Sequence, residues 1–391
     1  MKKEFLCQAA QSLGTPLYLF DLDRLRQRVG RIRSNLSTKV DLCYAVKANP
    51  FLVKALNDEV ARFEVCSPGE YRICRNQGLP PEKLVISGVN KTQKDTEEMM
   101  AQCPNMGAYT VESLQQWLLL NQCAQKYGQT IRVLLRLTSG NQFGIEEDTL
   151  RKIIHERDRW PHTEIIGIQL YSGTQKHSLR RLQREVSRLD ELVRSLKEQE
   201  GFVVQELEYG PGFPVSYFEE DEPLEEEAFF RSFSQMLEEM EFFGAITLEM
   251  GRSIAAECGY YLTRVADIKS NRGQNYCILD GGMHQISYYG QSMAMKHPPV
   301  FPLQQRSGEP LLWNLCGSLC TVNDILVKQL PLPTPELGDV FVFEKAGAYC
   351  VTEGIALFLS RDLPAVASWS EEQGLQLLRP HTAAEVFNQA Q

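Results

Sequence analysis

The feature that most constrains this chain is a series of strand-like apolar segments, most of them followed by a turn and an amphipathic helical segment. Helical spacing is clearest over 179–199, where Leu182, Val186 and Leu189 fall on one face. Strands that alternate with helices predict βα units and a parallel sheet. Eight such units would close a (β/α)8 barrel of ~250 residues. The eight segments are 41–46, 62–66, 83–87, 107–110, 131–137, 165–171, 206–209 and 245–249.

After Arg252 the pattern changes to strands joined by loops, with little helix. The strand-like segments there are 260–269, 274–279, 313–316 and 339–343, and 16–20 near the N-terminus is similar. The proline-containing stretch 296–308 is predicted to be irregular. We therefore predict a barrel over 25–262 and a β-sandwich or β-barrel domain built from 1–24 and 263–391. A chain of 391 residues is long enough for two such domains.

Composition and charge exclude several classes of function. The formal net charge is -9 and acidic and basic residues are interleaved, whereas a nucleic-acid binder shows a basic stripe. No segment approaches the ~20 apolar residues of a membrane span, and residues 1–11 lack the apolar core of a signal peptide. We expect a soluble cytoplasmic protein with no membrane or nucleic-acid partner. The 11 cysteines show no paired metal-ligand spacing, so free thiols and no metal site are predicted.

Reactive side chains follow several of the predicted barrel strands. Catalytic residues of such barrels gather at the C-terminal ends of the strands. The first strand ends at Lys47, whose amine, if partly buried, would have a lowered pKa and good nucleophilicity. A lysine alone at a strand end is more often an exposed loop residue. Here, however, other strand ends carry Glu64, Arg136, Glu249 and Arg252.

Glycine turns follow two further strands, at Ser172-Gly173-Thr174 and Gly210-Pro211-Gly212. Glycine lets backbone N–H groups approach and surround a phosphate. A single Gly-Pro-Gly is usually only a turn. Two such turns, together with an arginine, a glutamate and a lysine on other strand ends, indicate a phosphorylated, ring-bearing cofactor that is tethered by an amine.

These motifs resemble those of the fold-type III pyridoxal 5'-phosphate (PLP) decarboxylases, which include ornithine, arginine and diaminopimelate decarboxylases and are related to alanine racemase. The similarity extends from about Thr15 to Pro364. It rests on the segments Tyr44–Pro50, Gly210–Phe213, Glu249–Arg252, Asp280–Met283, Gly317–Asp324 and Ala346–Tyr349. The resemblance implies a PLP-binding (β/α)8 barrel with a C-terminal β domain, as in alanine racemase, and release of CO2 from the α-carbon of an amino acid.

The resemblance also implies which residues would bind the cofactor. Lys47 would hold PLP as a Schiff base. Glu249 would bond the pyridine nitrogen and keep it protonated, which favours decarboxylation over racemisation. Tyr171 stands where the family has a ring-stacking histidine. Glu64 and Arg136 would support the ring, and Glu64 stands where the family usually has aspartate. The phosphate would be bound by Gly210, Gly212, Phe213, Gly251, Arg252, Thr174 and Tyr349.

The catalytic acid implied by the resemblance is Cys320, which would protonate the α-carbon after CO2 leaves. In the family this cysteine comes from the neighbouring subunit. A homodimer with shared active sites is therefore expected. By itself, one cysteine among 11 is more often structural, and the assignment depends on the surrounding match over Gly317–Asp324.

Departures from the family pattern concern the substrate. Ornithine and diaminopimelate decarboxylases have an acidic residue after the cysteine, which pairs with a distal ammonium, whereas this chain has Thr321; Asp324 is the residue that could compensate. The stretch 283–290, which includes Tyr289, lacks the arginine that binds a distal carboxylate in diaminopimelate decarboxylases. Thr321, Asp324 and Tyr289 are the candidate substrate contacts. In its Ser172–Gln175 turn and in Gly290-Gln291 after the Asp280–Met283 motif, the chain resembles most the branch of the family that acts on tethered or conjugated amino acids. This resemblance implies a modified, conjugated or carrier-tethered amino acid as substrate, in specialised biosynthesis of the siderophore or antibiotic type.

Three alternative functions stay open at this point. The first is decarboxylation of diaminopimelate or another basic amino acid. The second is an amino-acid racemase, which Glu249 and Cys320 oppose. The third is a catalytically inactive regulatory homologue, which the presence of Lys47, Arg252 and Tyr349 opposes.

Overall fold

The computed structural model describes residues 1–390, and the chain divides into two compact units. One unit contains Met1–Arg28, Val215–Pro223 and the chain from Ala255 onward. The other contains Val29–Pro214 and Leu224–Ile254. We call the first the β unit and the second the barrel unit.

The strands of the described chain fall into two sheets. In chain order they are β1 (Leu17–Asp21), β2 (Val40–Ala45), β3 (Arg62–Val65), β4 (Leu84–Ile86), β5 (Ala108–Val111), β6 (Ile131–Leu137), β7 (Thr163–Tyr171), β8 (Glu206–Gly210), β9 (Ala245–Met250), β10 (Gly259–Asn271), β11 (Gln274–Leu279), β12 (Val300–Pro302), β13 (Leu311–Cys316), β14 (Ile325–Leu332), β15 (Val340–Phe343), β16 (Ala365–Ser370) and β17 (Gly374–Arg379). Strands β2 to β9 belong to the barrel unit, and the others belong to the β unit.

The α-helices are, in chain order, α1 (Lys3–Leu13), α2 (Leu22–Ser34), α3 (Pro68–Asn76), α4 (Gln93–Gln102), α5 (Leu114–Tyr127), α6 (Glu147–His155), α7 (Leu179–Glu200), α8 (Glu226–Glu238), α9 (Arg252–Ala255) and α10 (Glu385–Asn388). Short 3₁₀ segments lie at Val46–Ala48, Pro50–Leu52, Pro81–Lys83, Arg157–Arg159, Ala256–Cys258 and Phe358–Ser360.

The barrel unit is a closed barrel of parallel strands in the order β2 to β9. It closes where β2 pairs with β9, with Tyr44 opposite Met250. Most barrel strands are buried along nearly their whole length, as expected where helices cover one face and side chains fill the interior. The predicted (β/α)8 barrel is therefore confirmed.

Helix α7 shows how the local sequence fixes an element of this barrel. The Ser178 side chain accepts a hydrogen bond from the backbone N–H of Arg181 and caps the first turn. Leucine and valine at helical spacing form the buried face, and Gly201, with φ 58°, ends the helix in the left-handed region. Both the helix and its buried stripe were expected from the sequence.

The β unit combines both ends of the chain in one sheet. Its strand order is β14-β13-β11-β10-β1-β16-β17, and β15 pairs with β10 and β12. The N-terminal strand β1 lies antiparallel to β10 and parallel to β16. Helix α1 contributes Leu6 and Ala9 to a core that also contains Leu17, Leu262 and Val342. The predicted fold class, a barrel with a second, β-rich domain, is thus confirmed.

Several elements of the β unit differ from the expectation. The stretch 296–308 is not irregular throughout, because β12 pairs with β15 and places Pro302 opposite Phe341. Strand β12 has β15 as its partner among the described strands, and an edge position tolerates a residue that lacks an N–H group. Strands β14, β16 and β17 and helix α1 were also not expected. In β14, Pro331 and the positive φ of Gln329 (53°) interrupt the alternating pattern.

Within residues 1–390, no helix combines the length and apolar character that crossing a membrane requires. No group of three or more histidine, cysteine, aspartate or glutamate side chains in the same part of the chain is arranged to hold a metal ion. The 11 cysteines are free thiols.

Candidate active site

Lys47 lies at the C-terminal end of β2, in the 3₁₀ segment Val46–Ala48. Its Nζ is 2.6 Å from Glu64 Oε2, on β3, and 3.2 Å from Glu249 Oε1, on β9. The two carboxylates are almost completely buried, whereas the lysine side chain is 36% exposed. The barrel thus places an accessible amine between two buried acids.

The two glutamates beside Lys47 have opposite pKa shifts. Burial disfavours the charged form of Glu64, but the Lys47 ammonium and hydrogen bonds from Cys66 and Lys47 outweigh it, so its pKa is lowered. Burial raises the pKa of Glu249, and the charge of Glu64 raises it further. A pair of acids whose pKa values are pushed apart is typical of sites that move protons.

Gln169 and Glu208 continue the polar chain into the barrel interior. The Gln169 Nε2 atom is 2.6 Å from Glu208 Oε1 and 3.4 Å from Glu249 Oε2, so one amide joins both carboxyl groups. Burial, followed by the charges of Glu249 and Glu206, raises the pKa of Glu208 to about 8. The sequence analysis did not identify Gln169 and Glu208 as part of the site. The signal for Glu208 was acidic residues at alternate positions of an otherwise apolar strand, β8.

Arg136, at the end of β6, is held in place by a buried ion pair. Its Nη1 lies 3.0 Å from Glu112 Oε2, and its guanidinium lies over the Phe143 ring at 4.9 Å. Lys91 donates to the backbone carbonyl of Gly88 at 2.8 Å. Burial lowers the pKa of Lys91 to about 8, although Glu112 opposes the shift. Glu112 and Lys91 are further residues of this region that the sequence did not reveal.

The two glycine turns after β7 and β8 contact each other closely. A Cβ atom on Gly212 would lie 2.0 Å from the carbonyl oxygen of Gly173, and one on Gly210 would lie 2.5 Å from the Tyr171 ring. Gly212 also has φ 61°, which favours glycine. The Arg252 side chain approaches the same turns, with Nε 3.4 Å from Thr174 Oγ1.

The remaining barrel candidates are placed by packing. Phe213 is buried, and its ring packs against Phe229, Phe230 and Phe233 at centroid distances of 5.8, 5.0 and 5.0 Å. Gly251 joins β9 to Arg252, the first residue of α9. The Tyr171 ring lies 5.9 Å from Lys47 Nζ. The barrel unit therefore brings together the candidates Lys47, Glu64, Arg136, Tyr171, Thr174, Gly210, Gly212, Phe213, Glu249, Gly251 and Arg252.

The other five candidates belong to the β unit. Cys320 and Tyr289 are exposed, Thr321 and Tyr349 are half-buried, and Tyr349 has φ 67°. Asp324 is buried, and its two carboxylate oxygens accept hydrogen bonds from the backbone N–H groups of Met283 and Leu319 at 2.7 and 2.8 Å. Asp324 therefore organises its own loop, and contact with substrate remains a prediction for it.

The residues of the barrel unit fit an aromatic aldehyde that carries a phosphate. Lys47 supplies an amine for the aldehyde, and the buried carboxyl group of Glu249 can share a proton with a ring nitrogen. The two glycine turns and Arg252 offer a wall of backbone N–H groups and a cation for the phosphate, where a side chain would not fit. The fold and the site define a PLP-dependent enzyme built on a (β/α)8 barrel.

Comparison with known proteins identifies the family. Residues 22–256 match the family described as "Pyridoxal-dependent decarboxylase, pyridoxal binding domain". Since the match covers more than half of the 391-residue chain, this protein belongs to that family. It is a PLP-dependent amino-acid decarboxylase.

Three relatives have two kinds of substrate. The chain is 28% identical to the diaminopimelate decarboxylase of Aquifex aeolicus, over 88% of this chain and 84% of that one. It is 28% identical to the L-glutamyl-[BtrI acyl-carrier protein] decarboxylase of Niallia circulans, over 90% and 87%. It is 27% identical to the 2-[(L-alanin-3-ylcarbamoyl)methyl]-2-hydroxybutanedioate decarboxylase of Staphylococcus aureus, over 87% and 90%.

A solved structure confirms the fold at lower identity. The diaminopimelate decarboxylase of Helicobacter pylori, crystallised with L-lysine, superposes with a TM-score of 0.85. The match covers 97% of this chain and 98% of that one at 24% identity.

Proposed function

We propose that this enzyme decarboxylates a modified, conjugated or carrier-tethered amino acid in specialised biosynthesis. The observation that carries the proposal is that a threonine, and not an acidic residue, follows the candidate proton donor. Thr321 follows Cys320, and both oxygens of Asp324 are occupied by backbone N–H groups in a buried loop. A free diamine precursor would bring a distal ammonium, which is costly to enclose without an anionic partner.

The cofactor residues act by binding and orientation. When bound, PLP supplies an electron sink for the bond that breaks as CO2 leaves. Lys47 would hold the cofactor aldehyde through Nζ. Glu249 holds a proton at the ring nitrogen, and Tyr171 packs against the ring. Glu64 and Arg136 orient the ring, and the glycine turns, Gly251, Thr174, Arg252 and Tyr349 bind the phosphate.

Cys320 provides the proton that completes the reaction. Its Sγ–H donates to the substrate α-carbon once CO2 has left, and the thiolate is reprotonated from solvent because Cys320 is exposed. We propose that this thiol comes from the partner protomer of a homodimer. Tyr289 and Thr321 would contact the part of the substrate beyond its α-carbon.

The relatives support this substrate class. The Niallia circulans relative is named for an aminoacyl group on a carrier protein, and the Staphylococcus aureus relative is named for an amino acid joined to a polycarboxylate. Both are about as similar to this chain as the Aquifex diaminopimelate decarboxylase is. Diaminopimelate is therefore the second candidate substrate, favoured by that relative.

A CO2-release assay separates the two substrate classes. The panel contains free diaminopimelate, lysine and ornithine, an amide of an amino acid with citrate, and aminoacyl thioesters of pantetheine. We expect kcat/KM for at least one conjugate to exceed that for every free amino acid by at least ~100-fold, since uncompensated charge burial costs several kcal/mol.

Controls in the same assay test the reaction type. Lys47→Ala should abolish CO2 release and the visible absorbance of bound cofactor, because no amine remains to hold the aldehyde. Efficient turnover of free diaminopimelate by the wild-type protein would overturn the substrate proposal. Inversion of the α-carbon without CO2 release would indicate a racemase.

A further inference from the structure

Behind the two glycine turns of the barrel unit lies a group of four polar side chains, Lys176, Arg181, Glu185 and Tyr209, which we call the backing cluster. Lys176 Nζ is 2.7 Å from Glu185 Oε2, and Tyr209 donates its hydroxyl to the same oxygen at 2.6 Å. Arg181 Nε is 3.1 Å from Glu185 Oε1. The Lys176 side chain has 0% exposure, so its ammonium is fully buried.

Lys176 contacts both glycine turns at once. Its ammonium donates to Ser172 Oγ at 2.8 Å, and its backbone N–H donates to the carbonyl oxygen of Gly212 at 2.9 Å. A Cβ atom on Gly212 would lie 2.9 Å from Lys176 Cε. Arg181 adds a hydrogen bond of 2.7 Å to the backbone carbonyl of Ser172. The side chains of Lys176 and Arg181 therefore hold Ser172 in the first turn, and the backbone N–H of Lys176 holds Gly212 in the second turn.

Stability alone gives no reason for a buried ammonium at this place. Burying an ion pair costs desolvation, and an apolar pair of similar volume is often at least as stable. The cluster contains two cations and one carboxylate, so it leaves one positive charge in excess behind the turns. Arg181 is 48% exposed, so Lys176 is the buried cation of the pair. A buried positive charge attracts a dianionic phosphate more strongly than an exposed one does.

We propose that Lys176 is a positioning residue for the cofactor phosphate, holding the two glycine turns together as a single phosphate-binding wall. This inference rests on the proposed function, in which those turns bind the phosphate of PLP. It predicts that removing the ammonium weakens the binding of the phosphate and leaves the binding of the aldehyde by Lys47 unchanged.

The test compares PLP with pyridoxal, which has the same ring and aldehyde but no phosphate. Full-length protein is freed of cofactor, and the dissociation constants of both compounds are measured by fluorescence titration. Lys176→Met should raise the dissociation constant of PLP by ~10-fold or more, the effect of one charge-assisted hydrogen bond. The dissociation constant of pyridoxal should change less than ~2-fold. Lys197→Met, at an exposed position of helix α7, should change neither dissociation constant. The ³¹P resonance of the bound phosphate should shift in Lys176→Met only.

The outcomes separate the inference from the proposed function. If wild-type protein binds PLP no more tightly than pyridoxal, the proposed phosphate site is wrong and the inference falls with it. Suppose instead that the wild-type protein binds PLP more tightly than pyridoxal. If Lys176→Met then keeps the same ratio of the two affinities, whether or not both become weaker, only the inference is overturned. Should Lys176→Met not fold, Lys176→Gln, whose amide can still bond Glu185 and Ser172 but carries no charge, is judged by the same ratio of PLP to pyridoxal dissociation constants.

Discussion

Glu208 is a carboxyl group whose ionisation is strongly changed by the fold. Its pKa is raised to about 8 by burial and by neighbouring Glu249 and Glu206, whereas in an unfolded chain it would be ~4.3. Between these pH values the folded protein holds a proton that the unfolded chain has released. The contribution of this group to the free energy of unfolding therefore falls as pH rises across this window, by up to ~1.4 kcal/mol per pH unit.

A glutamine at position 208 should remove that dependence. Glu208→Gln keeps an oxygen acceptor for Gln169 Nε2 but binds no titratable proton. Urea denaturation at several pH values from about 5 to 8 should give a flatter profile for this variant than for wild type. Glu238→Gln, at an exposed position of α8, is the matched control and should leave the slope unchanged. Parallel wild-type and Glu208→Gln profiles would show that Glu208 is ionised in the folded protein.

At the residue scale, the sequence revealed the reactive groups and missed the residues that surround them. Lys47 and Glu249 stand at strand ends within recognisable motifs, so their proximity could be predicted. Glu112, Glu208 and Lys176 occupy positions whose importance comes from burial and from partners distant in sequence. Such contacts depend on how strands and helices meet in three dimensions, and no local motif encodes them.

At the scale of elements, the close contact between the glycine turns can be tested by one methyl group. In Gly212→Ala the added Cβ would meet the Gly173 carbonyl oxygen at 2.0 Å and also adopt φ 61°. Gly201→Ala, at the end of α7, has nearly the same φ of 58° but no atom within 4 Å of its Cβ. The two variants share the left-handed backbone penalty of ~1–2 kcal/mol, and only Gly212→Ala adds the steric clash.

We therefore expect Gly201→Ala to lower the free energy of unfolding by ~1 kcal/mol without changing PLP affinity. Gly212→Ala should lower the free energy of unfolding by more than this. It should also weaken the affinity for PLP by at least ~10-fold, because the turns must separate to admit the methyl group. Chemical denaturation and PLP titration of both variants provide the comparison. Equal PLP affinities for the two variants would argue against a phosphate site at these turns.

The barrel elements were predictable because each strand is a short apolar run bounded by turn residues. The β unit was less so. Strands β12 and β14 contain Pro302 and Pro331, and β14 also contains Gln329 at positive φ, which obscure a period of two. Strand β12 pairs with β15, and β14 pairs with β13. Short-range sequence patterns contain no information about such partners.

At the scale of the whole molecule, the candidate residues are divided between two units of the chain. Lys47 and Glu249 belong to the barrel unit, and Cys320 belongs to the β unit. If the thiol reaches the active site of the partner protomer, each site of a two-fold dimer uses one barrel unit from one chain and one Cys320 from the other. A dimer with Lys47→Ala in one chain and Cys320→Ala in the other then contains one intact site.

Random exchange of these two inactive variants should restore about one quarter of wild-type activity, since about half of the dimers are mixed and each has one working site. The matched control mixes Lys47→Ala with Glu249→Gln. Both changes damage a barrel unit, so every site in that mixture is defective and no activity should return. CO2 release is measured after subunit exchange has been verified with differently tagged chains. If the first mixture stays as inactive as the control, Cys320 does not act across a dimer, because a thiol supplied in trans must complement an intact barrel unit wherever the two chains associate.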